Sequence, residues 1–347
     1  MHSFYYYFRW SSLLTQMVIM SASKVKGILV SENGGPDVLK YRDLEIKAPG
    51  PGQALVKIAA CGVNFIDIYQ RIGRYAVPLP YTPGMEGAGV VDAIGDNVDC
   101  VKVGDRVAYS STLGAYAEAS LVTASELIPL PDELSFEQGA AFPLQGMTAH
   151  YLINDFRKVK GSDTVLVHAA AGGMGQLLVQ WLKHLKATVI GTVSTSAKAD
   201  IAKACGADYV IDYSSSDFVE EVAKITSGKG CEMVIDGVGK STFAGSLEAV
   251  ASHGHVVLFG SASGPAEPIA PNSLQKRSIT ISGGSLFNHL NDRDELLMRA
   301  SDVLHAIKAG WLKLNIEEVI SLSEASKAHE LLESRKSTGK IVLSTTK

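Results

Sequence analysis

The sequence predicts an α/β protein in two parts: a β-rich first part, then a doubly wound parallel sheet of the Rossmann type. The chain has 347 residues, about twice the usual size of one domain. From residue 24 to about 130, short strand-like runs are broken by Gly and Pro, as in a barrel-like domain. From about residue 135, strand-like and helical runs alternate, which is typical of a parallel sheet.

The predicted elements follow from hydrophobic periodicity and turn residues. The first part has strand-like runs at Val25–Val30, Ala54–Ala60, Gly89–Ile94 and Arg106–Tyr109. The strands of the second part are predicted at Thr164–Ala170, Thr188–Val193, Tyr209–Tyr213, Met233–Asp236 and Val256–Gly260. Its helices are predicted at Met174–Leu185, Ala197–Cys205, Phe218–Ile225 and Ser241–Ala251. A helix at Ser323–Ser334 precedes a last strand, Ile341–Ser344.

Composition excludes several classes of protein. The apolar fraction of 46% is ordinary for a globular protein, and the net charge of −4 provides no basic surface for nucleic acid or anionic lipid. No run approaches 18 uninterrupted apolar residues, so no membrane span is expected. The four cysteines form no C-x-x-C pair, which argues against disulfides and a cysteine zinc site and favours a reducing compartment.

The first 23 residues differ in composition from the rest of the chain. Aromatic side chains crowd around Arg9, and no acidic residue precedes Glu32. We interpret residues 1–23 as an N-terminal extension before a second start at Met17 or Met20. The alternative is a transit peptide, although such peptides are normally richer in Arg. We therefore expect a cytoplasmic protein, with a mitochondrial one as the alternative.

A glycine-rich turn joins the strand Thr164–Ala170 to the helix Met174–Leu185. Small residues let the backbone approach a pyrophosphate, and the helix N-terminus supplies free N–H groups. Ala170 replaces the first glycine of the usual fingerprint, and an ordinary tight turn is the alternative. The strand before the turn and the helix after it favour a dinucleotide site formed by Ala171, Gly172, Gly173, Met174 and Gly175.

The end of the next strand favours NADPH over NADH. An NAD site usually has an acidic residue there for the ribose 2′-hydroxyl, but this chain has Ser194. Lys198 follows in the first helical turn, and Tyr213 ends the third strand. A hydroxyl and an ammonium can hold a 2′-phosphate that an acid would repel, although Lys198 could instead be an ordinary solvated lysine.

The remaining carboxyl ends of the parallel strands should line the same cleft. Glycines there permit a close approach of the backbone, with simple turn chemistry as the alternative. The candidates at these ends are Gly237, Phe259, Gly260 and Ser261.

Four motifs together carry a family resemblance over residues 24–343. Gly84–Gly89, with Gly95 and Val98, resembles the G-x-E-x-x-G-x5-G-x2-V signature of the medium-chain dehydrogenase/reductase superfamily. The other motifs are Gly104–Val107, Cys61–Asp67 and the A-A-A-G-G-x-G turn Ala169–Gly175. They resemble the zinc-independent quinone oxidoreductases of that superfamily, the group that includes zeta-crystallin. The resemblance implies a GroES-like catalytic domain over 24–145 and a Rossmann NADPH-binding domain over 146–285. Residues 286–347 would form the end of the Rossmann domain and the return to the catalytic domain.

The residues at the zinc positions of related alcohol dehydrogenases differ here. Met85 occupies the place of their histidine ligand and Asn64 that of their cysteine ligand. Met85 is not an ordinary zinc ligand, and Cys61 lies three residues too early, so we interpret it as a small buried residue. No metal is expected.

The resemblance also implies the reaction site. Asn64, Tyr69 and Thr148 are expected to line the nicotinamide and substrate cleft, with Asn64 and Tyr69 as the catalytic candidates. Tyr69 would orient the acceptor oxygen or donate a proton to it; the alternative is a wall that shapes the pocket. Ser285 and Leu286 resemble a further cofactor-contacting segment. His168 is expected to be a packed, hydrogen-bonded histidine rather than a catalytic one.

Without a Lewis acid the acceptor has to be electrophilic already. We therefore expect an NADPH:quinone oxidoreductase that transfers hydride directly. The alternatives are a reductase of α,β-unsaturated aldehydes, ketones or enoyl thioesters, and a structural or RNA-binding use of the fold. The acidic balance argues against RNA. Because members of the family are usually dimeric or larger, a homodimer is expected.

Overall fold

The computed structural model describes residues 23–346, and the predictions for the preceding segment lie outside them. The strands are β1 (Ser23–Leu29), β2 (Lys40–Ile46), β3 (Gln53–Gly62), β4 (Glu86–Ile94), β5 (Arg106–Tyr109), β6 (Ala119–Thr123), β7 (Ile128–Pro129), β8 (Thr164–Val167), β9 (Thr188–Val193), β10 (Tyr209–Asp212), β11 (Cys231–Asp236), β12 (Val250–Leu258), β13 (Thr280–Gly283), β14 (Ile316–Ser321) and β15 (Lys340–Ser344). The helices are α1 (Phe65–Arg71), α2 (Phe136–Gly139), α3 (Pro143–Asn154), α4 (Gly173–His184), α5 (Ser196–Ala204), α6 (Phe218–Ile225), α7 (Phe243–Ala249), α8 (Arg293–Lys308) and α9 (Ala325–Glu333).

A seven-stranded sheet dominates the first part of the chain. Its order is β14-β15-β3-β4-β5-β7, and β6 also pairs with β3; every pairing is antiparallel except β14 with β15. In β3, Ala54, Val56 and Ile58 are buried while Lys57 is exposed, which is the alternation of a strand with one face in the core. β1 and β2 form a separate antiparallel pair.

A six-stranded parallel sheet forms the second part, in the order β10-β9-β8-β11-β12-β13. This confirms the predicted doubly wound sheet. Successive strands are added on one side of β8 (β9, then β10) and on the other side of β11 (β12, then β13). The order of the sheet therefore reverses between β8 and β11, and a cleft opens at the carboxyl ends of the strands there. Val165, Val167, Val189 and Ile235 are buried, as expected for strands covered on both faces.

The end of the chain returns to the first sheet. Val342 of β15 pairs with Gly62 of β3. The first sheet is therefore built from both ends of the described chain, and all six strands of the parallel sheet lie between its strands β7 and β14 in sequence. The predicted domain limits at 145 and 285 remain a proposal. α3 packs against α4 and α8, and nine of its twelve residues are buried. No helix within residues 23–346 is long and apolar enough to cross a membrane.

Several boundaries differ from the sequence prediction, for example those of β3, β4, β11 and α9. The strand predicted to end at Ala170 ends at Val167, because Ala169 has a φ of 52°, in the left-handed region where a strand cannot continue. The helix predicted to end at Ala251 ends at Ala249, and β12 begins directly after it.

Candidate active site

A cleft of about 740 Å³ lies at the carboxyl ends of the parallel strands. Phe65, Leu332 and Arg335, from outside the parallel sheet, contribute to its walls. The cleft brings together five of the predicted cofactor residues: Ala171, Gly172, Ser194, Lys198 and Tyr213.

The phosphate turn leaves no room for side chains. A Cβ on Gly175 would lie 2.7 Å from Ala170 Cα and closer still to the main-chain oxygen of Ala169. A Cβ on Gly173 would lie 2.8 Å from the Gln145 amide oxygen. α4 begins at Gly173, so its unpaired N–H groups and positive dipole end lie at the turn, next to the half-buried Met174.

Two cations, Lys198 and Arg335, lie together in the wall of the cleft. The Lys198 ammonium donates to the main-chain oxygen of Arg335 at 2.5 Å, and Arg335 Nη2 donates to that of Ala262 at 2.9 Å. Within the described chain, neither cation has a carboxylate within 4 Å. Burial lowers the pKa of Lys198, opposed by Glu317. Two cations without a paired acid fit a doubly charged phosphate.

The turns that follow β11 and β12 pack tightly on each other. A Cβ on Gly260 would lie 2.7 Å from the main-chain oxygen of Gly237, and one on Gly237 would lie 2.6 Å from the Phe259 ring. The buried Asp236 carboxylate caps the first turn by accepting from the N–H groups of Val238 and Gly239. Both glycines therefore have a packing reason, and their cofactor role stays a prediction.

Tyr69 lies against the turn after β12. Its hydroxyl oxygen accepts the N–H of Ser261 at 3.3 Å, and the Arg74 guanidinium covers its ring at 4.7 Å from the centroid. Arg74 also donates to the side-chain and main-chain oxygens of Ser261. Because the Tyr69 oxygen accepts at this contact, its own proton remains available to a ligand.

Asn64 is the N-cap of α1 and is almost fully buried. Its amide nitrogen donates to Glu86 Oε2 at 2.9 Å, and its amide oxygen accepts from the Lys340 ammonium at 2.7 Å. Lys340 and Glu86 form an ion pair at 2.6 Å, with both side chains at most 3% exposed. Asn64 therefore belongs to a buried charged cluster rather than projecting alone into the cleft.

A second buried chain of polar groups runs beneath α1. The Asp67 carboxylate accepts the N–H of Asn64 at 2.9 Å and the Tyr116 hydroxyl at 3.0 Å. The Tyr116 hydroxyl lies 3.2 Å from His329 Nε2, and Arg71 Nη1 lies 3.1 Å from His329 Nδ1. Since Arg71 can only donate, His329 Nδ1 accepts and the ring is neutral. Burial raises the pKa of Asp67 to about 7, whereas burial and then Arg71 lower the pKa of His329 to about 3.

A further cavity, of about 400 Å³, lies beside this region and is lined by Met85, Ser111, Phe287 and Leu290. Met85 Sδ accepts from the Gln70 amide nitrogen at 3.6 Å, and the Gln70 amide oxygen is buried with no partner. The cavity lies between Met85 and the segment after β13, and its wall also includes Glu126, Asp292 and Arg293.

Of the seventeen predicted cofactor residues, five line the 740 Å³ cleft and twelve do not, among them Thr148, Ser285 and Leu286. Thr148 is buried on α3, Ser285 precedes a short 3-10 turn, and Leu286 is a core residue. Their cofactor contacts stay predictions. His168 is buried between the hydroxyls of Thr192 and Ser246, both at 3.0 Å, which confirms the interpretation of a packed histidine.

Two charged residues of the site were missed by the sequence analysis. Arg335 lies between α9 and β15, and Lys340 is the first residue of β15. Their only sequence signal was a pair of cations before a final strand predicted to return to the first domain. Cys61 is fully buried, as expected, and all four cysteines are free. Residues 23–346 contain no group of three or more His, Cys, Asp and Glu side chains that could hold a metal ion.

Two family models match the chain. "Alcohol dehydrogenase GroES-like domain" matches residues 50–132, and "Zinc-binding dehydrogenase" matches residues 173–302. Together they span most of the two sheets.

Curated relatives and solved structures match over almost their whole length. A quinone oxidoreductase of Pseudomonas aeruginosa is 42% identical over 92% of this chain and 99% of its own. A 2-haloacrylate reductase of a Burkholderia species is 40% identical over 92% of this chain and 98% of its own. The crystal structure of Escherichia coli quinone oxidoreductase complexed with NADPH superposes with a TM-score of 0.90 at 37% identity, covering 92% of this chain and 99% of that one.

Proposed function

Because this chain belongs to the zinc-independent quinone oxidoreductases of the medium-chain dehydrogenase/reductase superfamily, we propose that it is an NADPH-dependent quinone reductase. The observation that carries the proposal is the 740 Å³ cleft, which joins the glycine-rich turn to Lys198 and Arg335, two cations that form no ion pair within residues 23–346. The NADPH complex of the E. coli relative supports the same cofactor.

Each part of the cleft has a task in this proposal. Gly172 and the N-terminus of α4 bind the pyrophosphate, and Ser194, Lys198 and Arg335 bind the 2′-phosphate. Bound NADPH supplies a hydride from C4 of its nicotinamide ring. Tyr69 orients the quinone oxygen and donates its hydroxyl hydrogen to the charge that develops there, since its oxygen already accepts from Ser261.

The groups at the positions of the zinc ligands suit an acceptor that is already electrophilic. Met85 Sδ and the Asn64 amide are engaged in hydrogen bonds with neighbouring protein groups. The protein's contribution is therefore position and orientation, which can supply a large share of a barrier reduction.

A second candidate function has one specific observation in its favour. A relative named 2-haloacrylate reductase is as similar to this chain as the quinone reductases are. Its substrate is a conjugated alkene, so reduction of α,β-unsaturated aldehydes, ketones or enoyl thioesters is the alternative. Both candidates use the same cofactor cleft and differ only in the acceptor.

The test is a side-by-side assay of the purified protein. NADPH and NADH oxidation are followed with 1,4-benzoquinone, a 2-alkenal, 2-chloroacrylate and an enoyl thioester. The proposal expects turnover of the quinone with NADPH preferred. Turnover of the alkenes without the quinone would replace the leading candidate by the second, and preference for NADH would contradict the role of Lys198.

A homodimer and a cytoplasmic location complete the proposal. β13 is an edge strand of the six-stranded sheet, and an edge can pair with its copy in a second subunit. Four free cysteines are consistent with a reducing compartment. Light scattering of the purified protein would test the dimer.

A further inference from the structure

An ion pair ties the last turn of α9 to α1. Arg71, the last residue of α1, donates from Nη2 to Oε1 of Glu333, the last residue of α9, at 2.7 Å. The Arg71 side chain is 1% exposed and that of Glu333 is 33% exposed. Arg71 also donates to the main-chain oxygen of Gly34 and to Nδ1 of the neutral His329 ring. One buried guanidinium therefore holds both His329 and Glu333, which share a face of α9 at a spacing of i, i+4.

The sequence of α9 does little to keep this last turn in place. The negative end of a helix dipole is stabilised by cations in the last turn and destabilised by acids. The last turn of α9 contains Glu330 and Glu333 and no basic residue. Arg71 therefore supplies, from another helix, the positive charge that the end of α9 lacks.

The same two helices lead into the outer wall of the cofactor cleft. Phe65, the first residue of α1, and Leu332 of α9 line the 740 Å³ cleft, and so does Arg335, two residues beyond the end of α9. Arg335 has a φ of 57°, in the left-handed region that glycine adopts far more readily than other residues. Such a conformation persists only where the surrounding structure imposes it. The direction of the Arg335 side chain therefore depends on how firmly the end of α9 is held.

We propose that Arg71 is a positioning residue for the cofactor: by pairing with Glu333 it fixes the end of α9 and so holds Arg335 in the wall of the cleft. This inference rests on the proposed function, in which Arg335 binds the 2′-phosphate of NADPH. Arg71 and Glu333 lie outside the cleft wall that residues 23–346 form, so their effect on the cofactor passes through Arg335. Without the ion pair, the last turn of α9 unwinds more easily, and Arg335 spends less time at the phosphate.

The test measures cofactor binding without any acceptor. The protein and its variants are titrated by fluorescence with NADPH and with NADH, and the preference is the Kd for NADH divided by the Kd for NADPH. Glu333→Ala removes the partner of Arg71, and we expect the preference to fall about 3-fold or more. The Kd for NADH, which has no 2′-phosphate, should stay unchanged, and this also shows that the variant is folded.

Charge alone predicts the opposite sign. A carboxylate near the cleft repels a phosphate, so its removal would by itself strengthen the binding of NADPH. A preference that rises or stays unchanged in Glu333→Ala would therefore overturn the proposal. Glu330→Ala is the matched control, because it removes an exposed carboxylate from the same helical turn and leaves the Arg71–Glu333 pair intact. It should not lower the preference.

Two further variants test the path through Arg335. Arg71→Met removes the other member of the ion pair and should lower the preference as Glu333→Ala does; if it fails to fold, Glu333→Ala carries the test. In an Arg335→Ala background, Glu333→Ala should leave the preference unchanged, because both changes then act through the same lost contact. A further fall in the double variant would show a different path and would overturn the positioning role.

The outcomes separate this inference from the proposed function. An unchanged preference in Arg335→Ala would remove Arg335 from the 2′-phosphate site and the positioning role of Arg71 with it. A lower preference in Arg335→Ala but not in Glu333→Ala would overturn the positioning role alone. Absence of quinone turnover in the unmodified protein would remove the proposed activity and leave the binding preferences interpretable.

Discussion

The Lys198 ammonium donates to the main-chain oxygen of Arg335, a residue 137 positions further along the chain, at 2.5 Å. This contact brings the two cations to one end of the cofactor cleft.

Arg335→Ala removes a charge-assisted partner of the 2′-phosphate, so we expect the KM for NADPH to rise about 10-fold or more while the KM for NADH is unchanged. Steady-state kinetics with both cofactors measure this. Lys203→Ala, an exposed lysine on the same helix as Lys198, is the control; an equal rise for NADH would contradict the assignment.

Tyr69→Phe tests the proton-donating role of the hydroxyl. The Ser261 N–H points at the Tyr69 oxygen, so the hydroxyl hydrogen is free to meet the acceptor. Loss of a general acid lowers kcat by about 100-fold with little effect on the KM for NADPH. Tyr75→Phe is the matched control, because Tyr75 packs edge-on against Tyr69 at 5.3 Å. An unchanged kcat for Tyr69→Phe would reduce Tyr69 to a wall of the pocket.

Gly175→Ala is expected to disrupt the phosphate turn. The added methyl group would collide with the main chain of Ala169 and Ala170, which cannot move aside as a side chain can. We expect the free energy of unfolding to fall by about 1–3 kcal/mol and NADPH binding to weaken. Urea denaturation and a binding titration measure the two effects. Gly283→Ala, where the new methyl group meets nothing within 4 Å, should change neither.

Chelators should not affect the reaction. Met85 Sδ accepts a hydrogen bond from Gln70, and the Asn64 amide is held by Glu86 and Lys340, so these groups are engaged with protein partners. Activity with NADPH and 1,4-benzoquinone should be the same before and after incubation with 1,10-phenanthroline. Inhibition that added zinc reverses would show that the family's zinc-independence does not hold for this chain.

Asp67 and His329 should give opposite contributions to the pH dependence of stability. The pKa of Asp67 rises from 3.8 to about 7 on burial, so between these values the folded protein holds a proton that the unfolded chain has released. Its contribution to stability therefore falls as the pH rises through this window. The pKa of His329 falls from 6.5 to about 3, so its contribution is lost as the pH falls through that range.

Asp67→Asn removes one of these two opposing contributions. We expect the variant to lose more stability than the unmodified protein when the pH is lowered from 7.5 to 5.0, because only the His329 contribution remains. Urea denaturation at the two pH values measures the difference. Parallel changes in the two proteins would mean that Asp67 is not protonated in the folded state at pH 5.0.

The sequence was sufficient where structure depends on local pattern. β5 and β9 have the predicted bounds, because each is a short buried run between turn residues. The strand–turn–helix succession around Ala169–Gly175 was also predicted, since strand, small residues and helix follow one another directly. The strand before that turn was predicted three residues too long, because nothing in an Ala-Ala-Ala run marks which residue takes a positive φ.

The parts that were missed depend on contacts between distant segments. Glu86 is the acidic residue of the signature Gly84–Gly89, but Lys340, 254 residues away, looks like an ordinary lysine until the return of β15 brings the two together. Arg335 reaches the cofactor cleft only because the chain reverses after α9. The charges that complete a site between two sheets could not be derived from periodicity, which reports only the neighbours within one element.

The pairing of β15 with β3 also has a consequence for how the protein is made. A ribosome releases Gly62 long before its partner Val342. Residues 60–62 of β3 therefore lack their β15 partner until nearly the whole chain has been made, although β6 already pairs with residues 53–57. The parallel sheet, which is continuous in sequence, is complete well before that point. Ribosome-bound chains stopped before residue 340 should therefore contain a formed nucleotide-binding sheet and an open partner sheet that depends on chaperones.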